Sequence, residues 1–181
     1  MPRIITGKYK GRNIENIKGD TARPISGMIK EALFSKLGSK VEGADFLDVF
    51  AGTGSVGIEA LSRGAKRVVF IEKDPAMASR LEKNMEITDP EDDYNVVRAD
   101  FFNYDFRDFI EGSPDIIFAG PPYEENLSNR ILAHCRRECH NSQTLLIIQH
   151  FQGEKAKHPD YKKTDSRKYG ITRLDFFVGI D

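Results

Sequence analysis

Cysteine and long apolar runs are what this sequence has least of. Its 181 residues include two cysteines, too few for a disulfide framework and consistent with a reducing compartment. No apolar run reaches the roughly 18 residues that a membrane-spanning helix needs. The first residues also lack the apolar core of a signal peptide. We therefore expect a cytoplasmic protein with no membrane partner.

Charge is nearly balanced over the whole chain, but it is unevenly distributed. Residues 1–40 carry 9 Lys and Arg against 3 Asp and Glu, whereas residues 41–181 carry 18 against 25. A basic arm on a mildly acidic body favours a polyanionic partner that is contacted mainly from one end. A plain solvated N-terminal face is the alternative. The side chains expected to contact the polyanion are Arg3, Lys8, Lys10, Arg12 and Arg23.

Short apolar runs alternate with amphipathic segments from residue 44 onward. The runs predict strands at 44–50, 67–72, 94–100, 115–119 and 143–150. The amphipathic segments predict helices at 55–64, 75–87, 101–112 and 126–139. Strands and helices that alternate at this spacing indicate a parallel sheet with helices on both faces, as in Rossmann-like α/β folds.

The two ends of the chain fall outside this alternation. The tail predicts two β runs joined at "SRKYG", residues 166–170, and such an antiparallel hairpin would close a mixed sheet. The start predicts a short basic β-hairpin in "RIITGKYKGRNI" and a helix in "PISGMIKEALFSKLG". The predicted organisation is therefore a basic extension over residues 1–40 and one α/β domain over residues 41–181.

The segment "LDVFAGTGSVGIEA", residues 47–60, carries the most specific motif. Gly52, Gly54 and Gly57 form a G-x-G-x-x-G pattern between a predicted strand and a predicted helix. Glycines allow a sharp turn and a close ligand, and the free N–H groups of a helix start favour electron-rich groups. Glu72 ends the next strand, 20 residues after Gly52, where a carboxylate can accept both ribose hydroxyls of a nucleoside. A tight turn without a ligand is the alternative.

Two nucleoside cofactors fit this loop. A nicotinamide dinucleotide would place its pyrophosphate at the helix start, where the nearby carboxylate of Asp48 would repel it. S-adenosylmethionine carries an ammonium group instead, and Asp48 can pair with it directly or through water. Asp100, with Phe101 beside it, follows the third strand and can accept from the adenine amine. An N-cap role for Asp100 is a compatible alternative.

The stretch "DIIFAGPPYEEN", residues 115–126, ends a buried strand on two prolines and an aromatic residue. Ligands in doubly wound sheets lie beyond the carboxyl ends of the strands, near the switch point. Prolines fix the backbone and remove competing donors, so the carbonyls of this stretch can accept from an exocyclic amine. Tyr123 offers a flat surface for a base. The sequence thus predicts a pocket for a planar amine beside a methyl donor.

Two further patterns carry less weight. Cys135 and Cys139 are four residues apart on a predicted helix, a spacing that could hold a metal ion. Two ligands on one face do not complete a tetrahedral site, so a packed or exposed helix is favoured and no metal site is expected. The acidic segment 87–95 is interpreted as a solvated loop.

Taken together, these segments resemble the bacterial ribosomal RNA (guanine-N2)-methyltransferase family that modifies guanine 966 of 16S RNA, in the usual RNA numbering. The similarity runs nearly from end to end. It rests on "RIITGKYKGRNI", "TARPISGMIKEALFSKL", "FLDVFAGTGSVGIEALSRGAKRVVFIEKD" and "SRKYGITRLDFF". The resemblance implies a class I methyltransferase fold with a seven-stranded mixed sheet, and a monomer that acts on 16S RNA or the assembling small subunit.

The resemblance also implies roles for individual residues. Contacts with S-adenosylmethionine are expected at Asp48, Phe50, Ala51, Gly52, Gly54, Glu72, Lys73, Asp100 and Phe101. The target base is expected at Gly120, Pro121, Pro122 and Tyr123.

The sequence departs from the family pattern in its substrate half. The family has Asp or Asn where this chain has Gly120, so a side-chain oxygen that would accept from the amine is missing. It also usually has Asp and Arg at the positions of Gly27 and Met28. Main-chain carbonyls at Gly120 and Pro121 can still accept. We expect a slow enzyme or one with a substitute acceptor, and a catalytically inactive RNA module that binds the cofactor is the alternative.

Overall fold

The structure is a computed structural model, and it describes residues 2–17, 25–105, 112–122, 127–138 and 141–180. Several residues named above therefore lie outside the described residues. They are Arg23, most of the 101–112 segment after residue 105, Tyr123 and Cys139.

Four α-helices and seven strands form within these ranges. The helices are α1 (Gly27–Leu37), α2 (Ser55–Ser62), α3 (Pro75–Met85) and α4 (Leu127–Glu138). The strands are β1 (Asp45–Val49), β2 (Arg67–Ile71), β3 (Asp93–Val97), β4 (Ile116–Ala119), β5 (Leu145–Phe151), β6 (Tyr161–Tyr169) and β7 (Thr172–Gly179). Short 3-10 turns occupy Gly38–Val41 and Phe101–Asn103. None of the described helices is long and apolar enough to cross a membrane.

All seven strands join one sheet in the order β3-β2-β1-β4-β5-β7-β6. The first five strands are parallel, and β7 is antiparallel to both β5 and β6. The predicted fold class, a mixed Rossmann-like sheet closed by a hairpin, is confirmed. Val49 at the end of β1 lies between Ile71 of β2 and Ala119 of β4. The carboxyl ends of these strands therefore meet at the switch point, where such sheets bind ligands.

Local sequence explains where the helices begin. The Asp74 side chain accepts from the N–H groups of Ala76 and Met77, and Pro75 occupies the first turn of α3. Ser26 caps α1 in the same way through Ile29. Helix α2 has no side-chain cap, because it begins directly after Gly54. Its first turn is thereby open toward the end of β1.

The N-terminal segment is part of the main core. Ile4, Tyr9 and Ile14 are buried in the same apolar cluster as residues of α1 and α2. Glu59 of α2 is fully buried, and its two carboxylate oxygens accept from the backbone N–H groups of Ile5 at 2.8 Å and Thr6 at 3.0 Å. Residues 2–14 are thus attached to α2, the helix that follows the glycine loop at residues 50–54.

A buried lysine joins α1 to the same attachment. The Lys30 ammonium is 3.4 Å from a Glu59 oxygen, and it donates to the Arg3 carbonyl at 2.9 Å and the Ser55 hydroxyl at 3.1 Å. Burial lowers the Lys30 pKa, while the charge of Glu59 opposes this shift. Breaking one partner of such a pair leaves an uncompensated buried charge. The predicted extension is therefore held to the α/β domain by polar as well as apolar contacts.

Three element predictions differ from the structure. The predicted N-terminal β-hairpin is reduced to one antiparallel bridge between Arg3 and Asn13. The predicted turn "SRKYG" is mostly strand, since β6 continues to Tyr169 and the chain reverses at Gly170, which has φ +60°. Strand β6 lies at the sheet edge and carries exposed charged residues, a pattern that reads as a turn in sequence. The helix predicted from residue 101 begins as a 3-10 turn that ends at Asn103.

Candidate cofactor site

The loop after β1 adopts unusual backbone conformations. Phe50 has φ +59°, Gly52 has φ +57° and Gly54 has φ +81°. Positive φ is uncommon for any residue with a side chain, and it is most costly for a bulky one. Strained residues of this kind cluster at ligand sites, because the surrounding structure has to hold them in place. The backbone of Phe50 thus supports the prediction of a ligand site at this loop independently of its glycines.

Each glycine of the motif is required for a different structural reason. A Cβ at Gly52 would meet no atom within 4 Å, so glycine is needed there for φ and leaves the backbone approachable. A Cβ at Gly54 would lie 2.0 Å from Leu81 Cδ1, and one at Gly57 would lie 2.2 Å from Phe70 Cε1. These two glycines let the loop approach α3 and let α2 approach the sheet.

Glu72 braces the loop from the neighbouring strand. One carboxylate oxygen accepts from the Gly52 N–H at 2.7 Å, and the other accepts from the Asp74 N–H at 2.8 Å. Its side chain is buried at the carboxyl end of β2. An ionised carboxylate has about four acceptor positions. Acceptor capacity therefore remains for the ribose hydroxyls that the sequence assigned to Glu72.

Asp48 lies behind the loop in a fully buried position. Its Oδ2 accepts from the Gly57 N–H at 2.8 Å. Burial raises the pKa of Asp48 to about 8, the Gly57 hydrogen bond opposes this shift, and the charge of Glu72 adds to it. The carboxyl group is thus mostly protonated at neutral pH and becomes ionised when a cation is placed beside it.

A cleft of about 100 Å³ opens between the glycine loop and the ends of β4 and β5. Five of the residues predicted to form the site line it, together with Gln149 of β5. The described lining residues are Asn16, Ile25, Asp48, Phe50, Ala51, Gly52, Thr53, Ser55, Val56, Met77, Phe118, Gly120 and Gln149. The cofactor loop and the first residue of the predicted base pocket thus share one cavity.

Asp100 and Phe101 follow β3, as expected. Asp100 Oδ1 accepts from the Phe102 N–H at 2.9 Å, which is the N-cap role. Phe101 is buried, and its ring lies 5.6 Å from the ring of Phe50. The loops after β1 and β3 are therefore in contact. Lys73 is exposed beside them, and the adenine contact stays a prediction.

Residues 120–122, which we call the proline ledge, are joined to the end of β1 by a hydrogen bond. The Gly120 N–H donates to the Val49 carbonyl at 3.2 Å. Gly120 does not have a left-handed backbone, so a side chain there would not be strained by φ. Pro121 is buried and Pro122 is exposed, so the ledge has an inner and an outer residue.

The basic residues of the N-terminal segment differ in their surroundings. Arg3 and Lys10 are exposed. Lys8 forms an ion pair with Asp92, and Arg12 lies over the Tyr9 ring at 4.9 Å. Asp92 of the acidic segment therefore contacts the N-terminal segment, while residues 89–91 are exposed as expected of a solvated loop and residues 93–95 belong to β3. RNA binding by these side chains stays a prediction.

Sequence reasoning assigned no role to Gln149, because a glutamine in a buried strand belongs to no motif. No cluster of His, Cys, Asp or Glu suitable for a metal ion occurs in the described part of the chain. Cys135 is buried in α4.

Comparison with known proteins gives a consistent picture. A family model described as "Conserved hypothetical protein 95" matches residues 2–178. The chain is similar to ribosomal RNA small subunit methyltransferase D of Haemophilus influenzae, with 35% identity over 72% of this chain and 68% of that protein. The protein of the same name from Escherichia coli K12 is 34% identical over 69% of this chain and 62% of its own length.

Solved structures extend the similarity over the whole chain. A structure described as the putative methyltransferase yhhF from Escherichia coli superimposes with a TM-score of 0.84 at 25% identity, over 98% of this chain and 97% of that one. A structure from Thermus thermophilus, described as a hypothetical protein, has a TM-score of 0.78 at 28% identity and covers 99% of this chain and all of its own.

Proposed function

Because the chain belongs to the family of ribosomal RNA small subunit methyltransferase D, and the matching family model covers almost the whole chain, we propose that it methylates the exocyclic N2 amine of a guanine in 16S RNA. The methyl donor is S-adenosylmethionine, and this decides between the two cofactors that the sequence left open. Methyl transfer to ribosomal RNA is the general activity that membership of this family supports. We further propose that the enzyme modifies the N2 atom, that its substrate is the 16S molecule, and that it is a monomer in the cytoplasm.

One observation carries the proposal from the structure. Residues of the glycine loop, Asp48 and Gly120 of the proline ledge line the same cleft. A donor held by the loop would therefore lie next to an amine held by the ledge. The residues are compatible with the cofactor, since Gly52 leaves an approachable backbone and the carboxyl groups of Glu72 and Asp48, which could pair with a ribose and an ammonium, both contact the loop region.

When bound, the cofactor supplies an electrophilic methyl group on a sulfonium. The chain itself positions the groups that react. Asp48 would pair with the ammonium, and Glu72 would accept from the ribose hydroxyls. Carbonyls at Gly120 and Pro121 would accept from the guanine amine and draw its lone pair out of conjugation. Alignment of nitrogen, carbon and sulfur accounts for much of the rate.

A second candidate is a cofactor-binding RNA module without activity. The observation that favours it is Gly120, which provides no side-chain acceptor beside the prolines. Loss of one hydrogen bond to a developing charge typically costs about 10²–10³ in rate. The chain would still bind cofactor through the glycine loop and RNA through its exposed basic residues.

The two candidates are separated by a transfer assay. Tritium-labelled S-adenosylmethionine is incubated with purified protein and undermethylated 16S RNA or small-subunit particles, and label in the RNA fraction is measured. We expect label in RNA in proportion to enzyme and time. Binding of S-adenosylhomocysteine and RNA without label in either substrate would favour the inactive module.

A further inference from the structure

The side-chain oxygen of Gln149, a residue of the cleft, has no hydrogen-bond donor among the described residues. Its side chain is 5% exposed, and no described residue donates a hydrogen bond to Oε1. Buried side-chain oxygens in folded proteins nearly always accept a hydrogen bond, so an exception calls for a ligand or a water molecule. Gln149 lines the same cavity as Asp48, Phe118 and Gly120. The missing donor is therefore one that enters this cavity.

The strand register places Gln149 beside the glycine of the ledge. Ala119, the last residue of β4, pairs with Ile148 of β5, so Gly120 directly after β4 follows the strand end beside Gln149 of β5. Residues in register on neighbouring strands face the same side of a sheet. The side chain of Gln149 thus occupies the face on which a side chain at Gly120 would project.

The space beside Gly120 points to the same cavity. A Cβ at Gly120 would lie 3.2 Å from Phe118 Cε1, and this phenyl ring lines the cleft together with Gln149. A side chain at position 120 would therefore project toward the part of the cleft that Phe118 and Gln149 line, and the Phe118 ring would have to shift by a few tenths of an ångström to admit it. One acceptor could replace the other.

We propose that Gln149 is a catalytic residue whose Oε1 accepts a hydrogen bond from the exocyclic amine of the target base, in the place of a side chain at Gly120. This inference rests on the proposed function. The amine nitrogen forms a bond to the methyl carbon while the carbon–sulfur bond breaks and its electron pair stays on sulfur. An amide is too weak a base to take the proton, so the amine proton leaves to water. Gln149 orients the amine and localises its lone pair.

The test is the replacement Gln149→Met, which keeps the length of the side chain and removes its acceptor. Single-turnover methyl transfer to undermethylated 16S RNA is expected to slow by about 10²–10³-fold. Affinity for S-adenosylhomocysteine, measured by calorimetry, should change less than about twofold, because the loss acts on the transition state. Gln152→Met is the matched control, since Gln152 does not line the cleft, and it should leave the rate unchanged.

Replacement of the neighbouring glycine supplies the rescue. Gly120→Asp in the Gln149→Met protein should restore most of the lost rate. Thermal unfolding of each variant identifies any that fails to fold, and Gln149→Glu, which keeps an acceptor, should then retain activity where Gln149→Met does not.

The outcomes separate this inference from its premise. Equal rates for folded Gln149→Met and unaltered protein would overturn the role of Gln149 and leave the proposed function standing. A lower rate without rescue by Gly120→Asp or retention by Gln149→Glu would also overturn it. No transfer to RNA by the unaltered protein would overturn the proposed function and the role of Gln149 together.

Discussion

The carboxyl group of Asp48 links cofactor binding to pH. Its pKa in the free protein is about 8, raised mainly by burial, and pairing with an ammonium would favour the ionised form. Binding below this pH must therefore release a proton. Affinity for S-adenosylhomocysteine should rise as pH increases to about 8 and then level off. Calorimetry at neutral pH in buffers of different ionisation enthalpy measures the released proton directly.

The variant Asp48→Asn provides the control for this pH effect. It removes the ionisable group and keeps an acceptor for the Gly57 N–H. Its affinity should be lower at pH 8 and independent of pH below that value. If the unaltered protein released no proton on binding, Asp48 would not be the partner of the ammonium.

Glu72, which contacts the glycine loop from the end of β2, should make a large contribution to cofactor affinity. Glu72→Ala removes a charged acceptor for ribose and the brace on the Gly52 N–H. A hydrogen bond to a charged group contributes about 1.5–3 kcal/mol, so affinity for S-adenosylhomocysteine should fall about 10- to 100-fold. Glu82→Ala on the exposed side of α3 is the control and should bind normally. Equal affinities of the two variants would exclude the ribose contact.

Helix α2 ties the loop to the sheet through one close approach. Gly57→Ala would place a methyl group 2.2 Å from Phe70 Cε1, and relief of this clash has to move the helix or the ring. Overpacking of this kind typically costs about 1–3 kcal/mol. We expect a lower free energy of unfolding and weaker cofactor binding, since Gly54 and Gly57 move together. Chemical denaturation and calorimetry measure both.

Gly27→Ala in α1 is the matched control for Gly57→Ala in α2. A Cβ at Gly27 meets nothing within 4 Å, and the residue opens α1 with ordinary helical backbone. Alanine is the better helix former, so stability should stay the same or rise slightly. Equal destabilisation by the two replacements would show that helix propensity, rather than close packing on Phe70, decides the outcome.

The strands could be predicted from the sequence where their two faces are equally buried. Central parallel strands are buried on both faces, so β1, β2, β4 and β5 read as continuous apolar runs. Strand β6 at the edge is polar and was partly taken for a turn. The glycine loop follows from its motif, whereas Gln149 does not, because its neighbours in the cleft come from other strands. The positive φ of Phe50 also has no sequence signal.

The distribution of charge over the whole molecule predicts how RNA binds. Arg3 and Lys10 are exposed on the N-terminal segment, while Lys8 is engaged by Asp92. Reversal of both exposed charges, Arg3→Glu with Lys10→Glu, should weaken RNA binding and lower the salt slope by about 1 to 2. Charge reversal is preferable to truncation here, because removal of this segment would also remove Ile4 and Tyr9 from the core.

Lys66→Glu is the control for this measurement. Lys66 is exposed just before β2, at the amino ends of the parallel strands, whereas the cleft lies at their carboxyl ends. Its reversal should leave the salt slope unchanged. An unchanged slope in the double variant would identify the N-terminal segment as a solvated face and move the RNA surface elsewhere on the molecule.

The central claim is that the cleft between the glycine loop and the proline ledge methylates the N2 amine of a guanine. Undermethylated 16S RNA is treated with the unaltered protein and labelled S-adenosylmethionine, digested to nucleosides and separated by chromatography against methylated standards. We expect the label in N2-methylguanosine. Label in a nucleoside methylated at a ring nitrogen, at another base or at the ribose would contradict it.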